Sequence, residues 1–157
     1  MFEKFDWQSD HLRLGDLLFR LEHFRNKDWA HGHNYFALYK VKELFDQYES
    51  YFASKANFQA KNIIELGVWD GGSLAIWSEL FFPSKLIGID FKSDRGDSDY
   101  FKRYIESRKL ADKVRTYWGT DQGDRRAVSE IVDREFQDPI DLIIDDASHL
   151  YGPTKSS

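Results

Sequence analysis

The sequence predicts an open α/β fold, a parallel sheet whose strands are joined by helical crossovers. Two observations carry that expectation. Four short apolar runs, at residues 62–66, 85–90, 114–118 and 140–144, alternate with stretches whose apolar residues recur at helical spacing. Acidic residues also recur at or just after the ends of these runs: Glu65, Asp90, Asp121, and the pair Asp145 and Asp146. Ligands of open α/β sheets bind at that carboxyl edge.

Taken in order, residues 1–25 show a partly helical pattern. Leu14, Leu17, Leu18 and Leu21 recur at helical spacing and Phe24 extends the stripe, with Gly15 moving the helix start to Asp16. Asn26 to Asn34 is a loop holding Trp29, His31, Gly32 and His33. On a loop the two histidines fix no metal geometry, and lining a substrate pocket suits the segment better. Asn34 is then expected to cap a helix over residues 35–52, striped by Leu38, Val41, Phe45, Tyr48 and Phe52. Ser54 to Lys61 is a polar link.

Ile63, Ile64 and Leu66 form a run too short for a helix and suited to a strand buried on both faces. Gly67 ends it, and Gly71 and Gly72 allow a tight turn close to a ligand. Ser73 is placed to cap a helix that carries Leu74, Ile76, Trp77, Leu80 and Phe81. Pro83 stops that helix. Lys85 to Asp90 is the second strand, and residues 98–110 a helix with Tyr100, Phe101, Tyr104 and Ile105 on one face. Val114 to Trp118 is the third strand. It runs into a polar turn, Gly119 to Asp124, and then a helix over residues 125–136. Pro139 breaks the helix and Ile140 to Ile144 is the fourth strand.

Composition narrows the classes. The chain has 157 residues, 41% hydrophobic, 17% aromatic and 31% charged, which suits one soluble globular domain. The net charge of −5, without a long Lys/Arg run, argues against nucleic acid and against an anionic membrane surface. No apolar stretch approaches membrane-span length, and Met1 to Asp6 lacks a signal-peptide pattern. With no cysteine there is no disulfide and no thiolate chemistry, and the cytoplasm is the default compartment.

The acids of the first turn select among ligands. A helix N-terminus after a glycine turn favours phosphate, but Glu65 and Asp70 flank this one and would repel a pyrophosphate. The order G-x-x-x-G-G is neither the dinucleotide fingerprint nor the Walker pattern. A nucleoside that carries positive charge and no phosphate fits better, and S-adenosylmethionine is such a ligand. Asp90 follows the glycine turn by about twenty residues, where α/β nucleotide sites place a carboxylate for ribose hydroxyls.

Four segments together carry a resemblance. They are Glu65-Leu66-Gly67-Val68-Trp69-Asp70-Gly71-Gly72-Ser73, Gly88-Ile89-Asp90, Gly119-Thr120-Asp121-Gln122, and Ile143-Ile144-Asp145-Asp146-Ala147-Ser148-His149. The chain resembles a class I S-adenosylmethionine-dependent methyltransferase with a Rossmann-like fold. More narrowly, it resembles the branch with macrolide-sugar and rhamnosyl O-methyltransferases and the proteins called cephalosporin hydroxylases.

The resemblance implies roles. Glu65, Gly67 and the glycines that follow, Gly71 among them, would hold the methionine part of the cofactor, Asp90 the ribose, and Asp121 and Gln122 the adenine, with Asp70, Ser73 and Asp145 also at the cofactor. Asp146 would bind a divalent metal, Mg2+, and His149 would be general base toward a hydroxyl of a small-molecule acceptor. A metal-bound hydroxyl has a lowered pKa, which a neutral imidazole can exploit. Residues 1–61 are then expected to form an N-terminal helical cap, and residues 62–157 the cofactor-binding part of one structural domain. The family fold continues with further strands, so the chain reads as truncated after its fourth strand. That strand would keep an exposed edge beside Leu142 and Ile144, prone to self-association. Two other readings stand beside the methyltransferase: a non-catalytic cofactor-binding or interaction module, and a nicotinamide-dependent oxidoreductase.

Overall fold

Four parallel strands form the central sheet: β5 (Asn62–Leu66), β6 (Lys85–Asp90), β7 (Val114–Trp118) and β8 (Leu142–Asp145). The computed structural model describes residues 2–22, 33–55 and 57–146. The strand order is β7-β6-β5-β8, so the chain first runs outward from β5 and then returns to its other side. The order reverses between β5 and β8, and ligands of such sheets bind outside the strand ends at that crevice. The crossovers are α2 (Gly72–Phe81), α3 (Asp99–Arg108) and α4 (Arg125–Glu135). The mixed α/β fold with a parallel sheet, read from alternating apolar runs and amphipathic stretches, is therefore present.

The period of two explains the layers. Ile63, Leu86 and Val114 face a large core shared with Leu74, Trp77 and Phe101, while Ile64, Leu66, Ile87 and Ile89 face Ile131 of α4. Helix α2 is buried on most of its surface, so packing rather than helix propensity stabilises it. On β8 the alternation leaves Leu142 and Ile144 packed against the large core and Ile143 60% exposed. Ile143 pairs with Ile64 and so stands on the α4 side of the sheet. The apolar residue bared at this edge is thus Ile143, not Leu142 or Ile144. The strand also starts at Leu142 rather than Ile140, because Asp141 turns out to accept the Lys61 and Asn62 N–H groups at 2.8 and 2.9 Å.

The N-terminal third departs from expectation. In place of a helix over residues 16–25 there is a sheet of β1 (Phe5–Trp7), β2 (His11–Leu14), β3 (Leu17–Leu21) and β4 (Phe36–Leu38). The first three strands are antiparallel and β4 runs parallel to β3. Gly15 and Asp16 are the two-residue turn between Leu14 and Leu17, with Gly15 at φ +60°. Leu12 and Leu14 on β2, then Leu17 and Phe19 on β3, are buried, while Arg13 and Arg20 are exposed. The leucines satisfy a period of two as well as one of 3.6, and sheet pairing decided between them.

The helix expected over residues 35–52 is likewise divided. Phe36 and Leu38 are buried strand residues of β4, residues 39–41 are irregular, and α1 spans Lys42–Ala53 with Val41 at its N-cap. Asn34 caps nothing; its Oδ1 accepts from Arg103 at 2.8 Å. The N-terminal segment is therefore a sheet with one helix rather than a helical cap. The loop from Asn26 to Asn34 lies outside the described residues except for its last two.

Aromatic packing joins the two sheets. Phe36 meets Phe19 at 5.2 Å and Tyr100 at 4.6 Å between ring centroids. Beneath it the turn before α2 is tight. Gly71, with φ +89°, is the N-cap of α2, and a Cβ placed there would lie 2.4 Å from the Phe101 ring. Gly71→Ala is therefore expected to destabilise the fold by about 1–3 kcal/mol, from positive φ and overpacking together. Chemical denaturation should show a lower midpoint; an unchanged midpoint would refute this packing account.

Candidate functional site

A cleft of about 540 Å³ opens at the carboxyl edge of β5, β6, β7 and β8. Gly67, Val68, Trp69, Asp70 and Ser73 line it from the turn after β5, and Ile89, Asp90, Phe91, Lys92 and Arg95 from the end of β6 onward. Thr120 and Gln122 come from the turn after β7, and Asp146 from the end of β8. The far wall is residues 37–41 with Leu44 of α1.

The turn from Gly67 to Gly72 is held on every side. Gly67 donates to the Ile89 carbonyl at 2.8 Å. Asp70 Oδ2 accepts the Ala37 N–H at 2.6 Å and Oδ1 the Gly72 N–H at 3.0 Å, and Ser98 Oγ donates to the Asp70 carbonyl at 2.7 Å. Burial pushes the Asp70 carboxyl up to about 6, against the pull of those N–H groups. Asp70 is thus the side chain that closes the first turn of α2, where Ser73 was expected. Ser73, inside the helix, lines the cleft. Trp69 holds a left-handed conformation, φ 55°, with the Arg95 guanidinium 4.2 Å from its ring centroid and Tyr39 edge-on at 5.4 Å.

Asp90 is buried at the cleft. Its Oδ2 accepts the Val68 and Trp69 N–H groups at 3.0 and 3.3 Å, and its Oδ1 that of Lys92 at 2.9 Å. A carboxylate has about four acceptor positions, so Asp90 both fastens two loops and keeps capacity for a ligand hydroxyl.

Glu65 lies deeper, 0% exposed. The alternation along β5 turns it toward α2, where Trp77 Nε1 donates to its Oε1 at 3.1 Å. Its Oε2 is buried and accepts no hydrogen bond among the described residues. Burial pushes its carboxyl up to about 7, against the pull of the Lys40 charge and of hydrogen bonds. Lys40 is the functional group that the sequence reading missed. Its side chain is 12% exposed and its ammonium is ion-paired with Asp146. Burial alone lowers a lysine, but the charges of Asp146 and Glu65 outweigh it and hold Lys40 above its ordinary value.

The remaining sequence candidates divide. Gln122 is buried and lines the cleft, whereas Asp121 is exposed and accepts the Gly123 N–H at 2.8 Å, closing its own turn. Asp145 is exposed and does not line the cleft. Gly71 packs under the turn rather than facing the cleft. His149 lies outside the described residues. Among the described residues no three His, Cys, Asp or Glu side chains converge as a metal site. Nor is any helix there long and apolar enough to cross a membrane. Lys92 and Arg95 also line the cleft, so its wall is of mixed charge rather than acidic.

With this geometry the chain is similar to mycinamicin VI 2''-O-methyltransferase of Micromonospora griseorubida, 28% identical over 70% of this chain. The chain spans 25% of the length of that relative. No family model matches the chain, and no solved structure does. The similarity relates the chain to a methyltransferase and, at that coarse level, to an enzyme.

The buried Glu65 has a stability signature. Its folded value of about 7 lies above the ordinary 4.5, so between these pH values the folded state holds a proton that the unfolded state has released. Stability contributed by this group is full below about pH 4.5, falls as pH rises, and levels off above about 7. Relative to wild type, Glu65→Gln is expected to lose this slope. Denaturant midpoints of the two proteins at pH 5 and pH 8 measure it, and parallel curves would refute the assignment.

Proposed function

We propose that this chain is the cofactor-binding part of an S-adenosylmethionine-dependent O-methyltransferase that acts on a hydroxyl of a sugar or related small natural product. The observation that carries the reading is the cleft at the switch point of the sheet, with Gly67 and Asp90 in its wall; Glu65, at the same end of β5, is fully buried outside the lining and has an Oε2 that accepts no hydrogen bond among the described residues. A buried carboxylate oxygen without a donor suits a cationic ligand group. The relative's name, a methyltransferase acting at a 2'' oxygen, supports a glycosidic hydroxyl as acceptor.

The donor set suits S-adenosylmethionine. Glu65 would hold its ammonium, Asp90 a ribose hydroxyl, and Gln122 with Phe91 the adenine end. When bound, the cofactor supplies a methyl group on a sulfonium. The chain's residues bind and orient it and shield it from water, and positioning is a large share of the rate enhancement in transfer reactions. His149 is the proposed base that takes the proton from the acceptor hydroxyl. Magnesium fits less well: the Asp146 carboxylate is ion-paired with Lys40, and among the described residues no cluster of three His, Asp or Glu side chains forms around it. The β8 edge and its exposed Ile143 support self-association of the chain.

Isothermal titration with S-adenosylhomocysteine should show saturable binding, and titration with NAD none. The reverse would establish the oxidoreductase reading. Asp90→Asn should weaken S-adenosylhomocysteine about 10-fold through loss of a charge-assisted bond; an unchanged affinity would remove Asp90 from the site. Methyl transfer to a panel of glycosides separates an enzyme from a binding module.

A further inference from the structure

We propose that Lys40 is the residue that receives the carboxylate of the cofactor's amino-acid end, while Glu65 receives its ammonium. The inference rests on the cofactor reading above and extends it to a residue that no comparison assigns.

Lys40 stands on the irregular segment between β4 and α1, in the cleft wall with Ser73, Gly67 and Asp146. Lysines are rarely buried unless paired, yet this side chain is 12% exposed. Its neighbours explain why. Asp146 accepts from its ammonium, and the charge of Glu65 also acts on it. Tyr48 is the other titratable group whose charge bears on it. The ammonium is thus paired with a half-exposed acid, Asp146, and within reach of the charge of a buried one, Glu65, whose Oε2 accepts no hydrogen bond among the described residues.

Charge balance then discriminates among ligands. A cation placed beside Glu65 favours its ionised form, and two ionised carboxylates around one ammonium then leave one negative charge in excess. A ligand that brings only an amine would satisfy Glu65 but set its cation beside Lys40, and like charges in a poorly solvated site repel. A zwitterionic amino acid brings both signs. Its ammonium pairs with Glu65, its carboxylate pairs with Lys40, and Asp146 keeps the solvent contact that its exposure allows. The pair of a buried acid and a buried ammonium thus selects the homocysteine end of the cofactor over amines of the same length. It also explains why a lysine stands in a cleft built for a cation.

The test uses three probes on the 157-residue chain by isothermal titration. S-adenosylhomocysteine carries both charges. S-adenosyl-3-thiopropylamine keeps the amine and lacks the carboxylate, and 5′-methylthioadenosine lacks both. Wild type should bind S-adenosylhomocysteine about 10- to 100-fold more tightly than the decarboxylated analogue. Lys40→Gln should close that gap while leaving 5′-methylthioadenosine unchanged, and Lys40→Arg should retain it. Equal binding of the two longer probes by wild type would overturn the proposal without any variant. So would an undiminished gap in Lys40→Gln, a uniform loss of all three probes, which marks a structural lysine, or a gain in S-adenosylhomocysteine affinity, which marks a competing cation. Should none of the probes bind wild type, the cofactor reading itself fails and the role of Lys40 with it.

Discussion

The site depends on the carboxylate of Asp70. It accepts from Ala37 in the N-terminal sheet and from Gly72 at the start of α2, and so ties the far wall of the cleft to the turn that forms the near wall. The tie is short and partly buried, and an acceptor lost there would leave two backbone donors without partners. Aromatic rings complete the same junction, with Phe36 and Phe101 filling the space that the two glycines leave open. Gly71 and Gly72 permit this close approach of the backbone to the rings of Phe101 and Phe36.

Asp90 does for the other side what Asp70 does for this one. Its oxygens accept from the turn after β5 and from the loop after β6, which fixes both loops at the sheet's edge. Two acidic side chains thus preorganise the cleft through backbone N–H groups. Further charges stand nearby: Glu65, fully buried, and the ion pair of Lys40 with the more exposed Asp146. The low polarity around Glu65 makes that carboxyl responsive to any cation placed beside it.

At the opposite end of the sheet, a second buried acid is fully satisfied. Glu135 at the end of α4 accepts from Lys85, Arg115 and Tyr117 at 3.0, 3.0 and 2.6 Å. Burial pulls its carboxyl upward, but these partners outweigh it and hold it below its ordinary value. The contrast with Glu65 is informative. Both acids are buried, yet of the two only Glu65 has an oxygen without a donor among the described residues.

The sequence by itself determined the central sheet. Strands β5 and β6 are largely apolar runs because both their faces are buried, whereas β7, at the sheet edge, buries only Val114, and Gly67 and Pro83 mark where the chain turns. The carboxyl-edge positions of Glu65, Asp90 and Gln122 followed from those strands. Tertiary structure alone decided the rest. Leu14, Leu17, Leu18 and Leu21 suit a helix or a strand equally, and the pairing of β3 with β2 on one side and with β4 on the other selects the strand. Lys40 gave no signal because its partner Asp146 is 106 residues away, and no local pattern encodes a contact closed by folding. Asp121 is the opposite case: its carboxylate accepts the Gly123 N–H two residues on and closes a local turn. Periodicity records which face of an element is buried, whereas the choice among buried partners is made when separate elements meet.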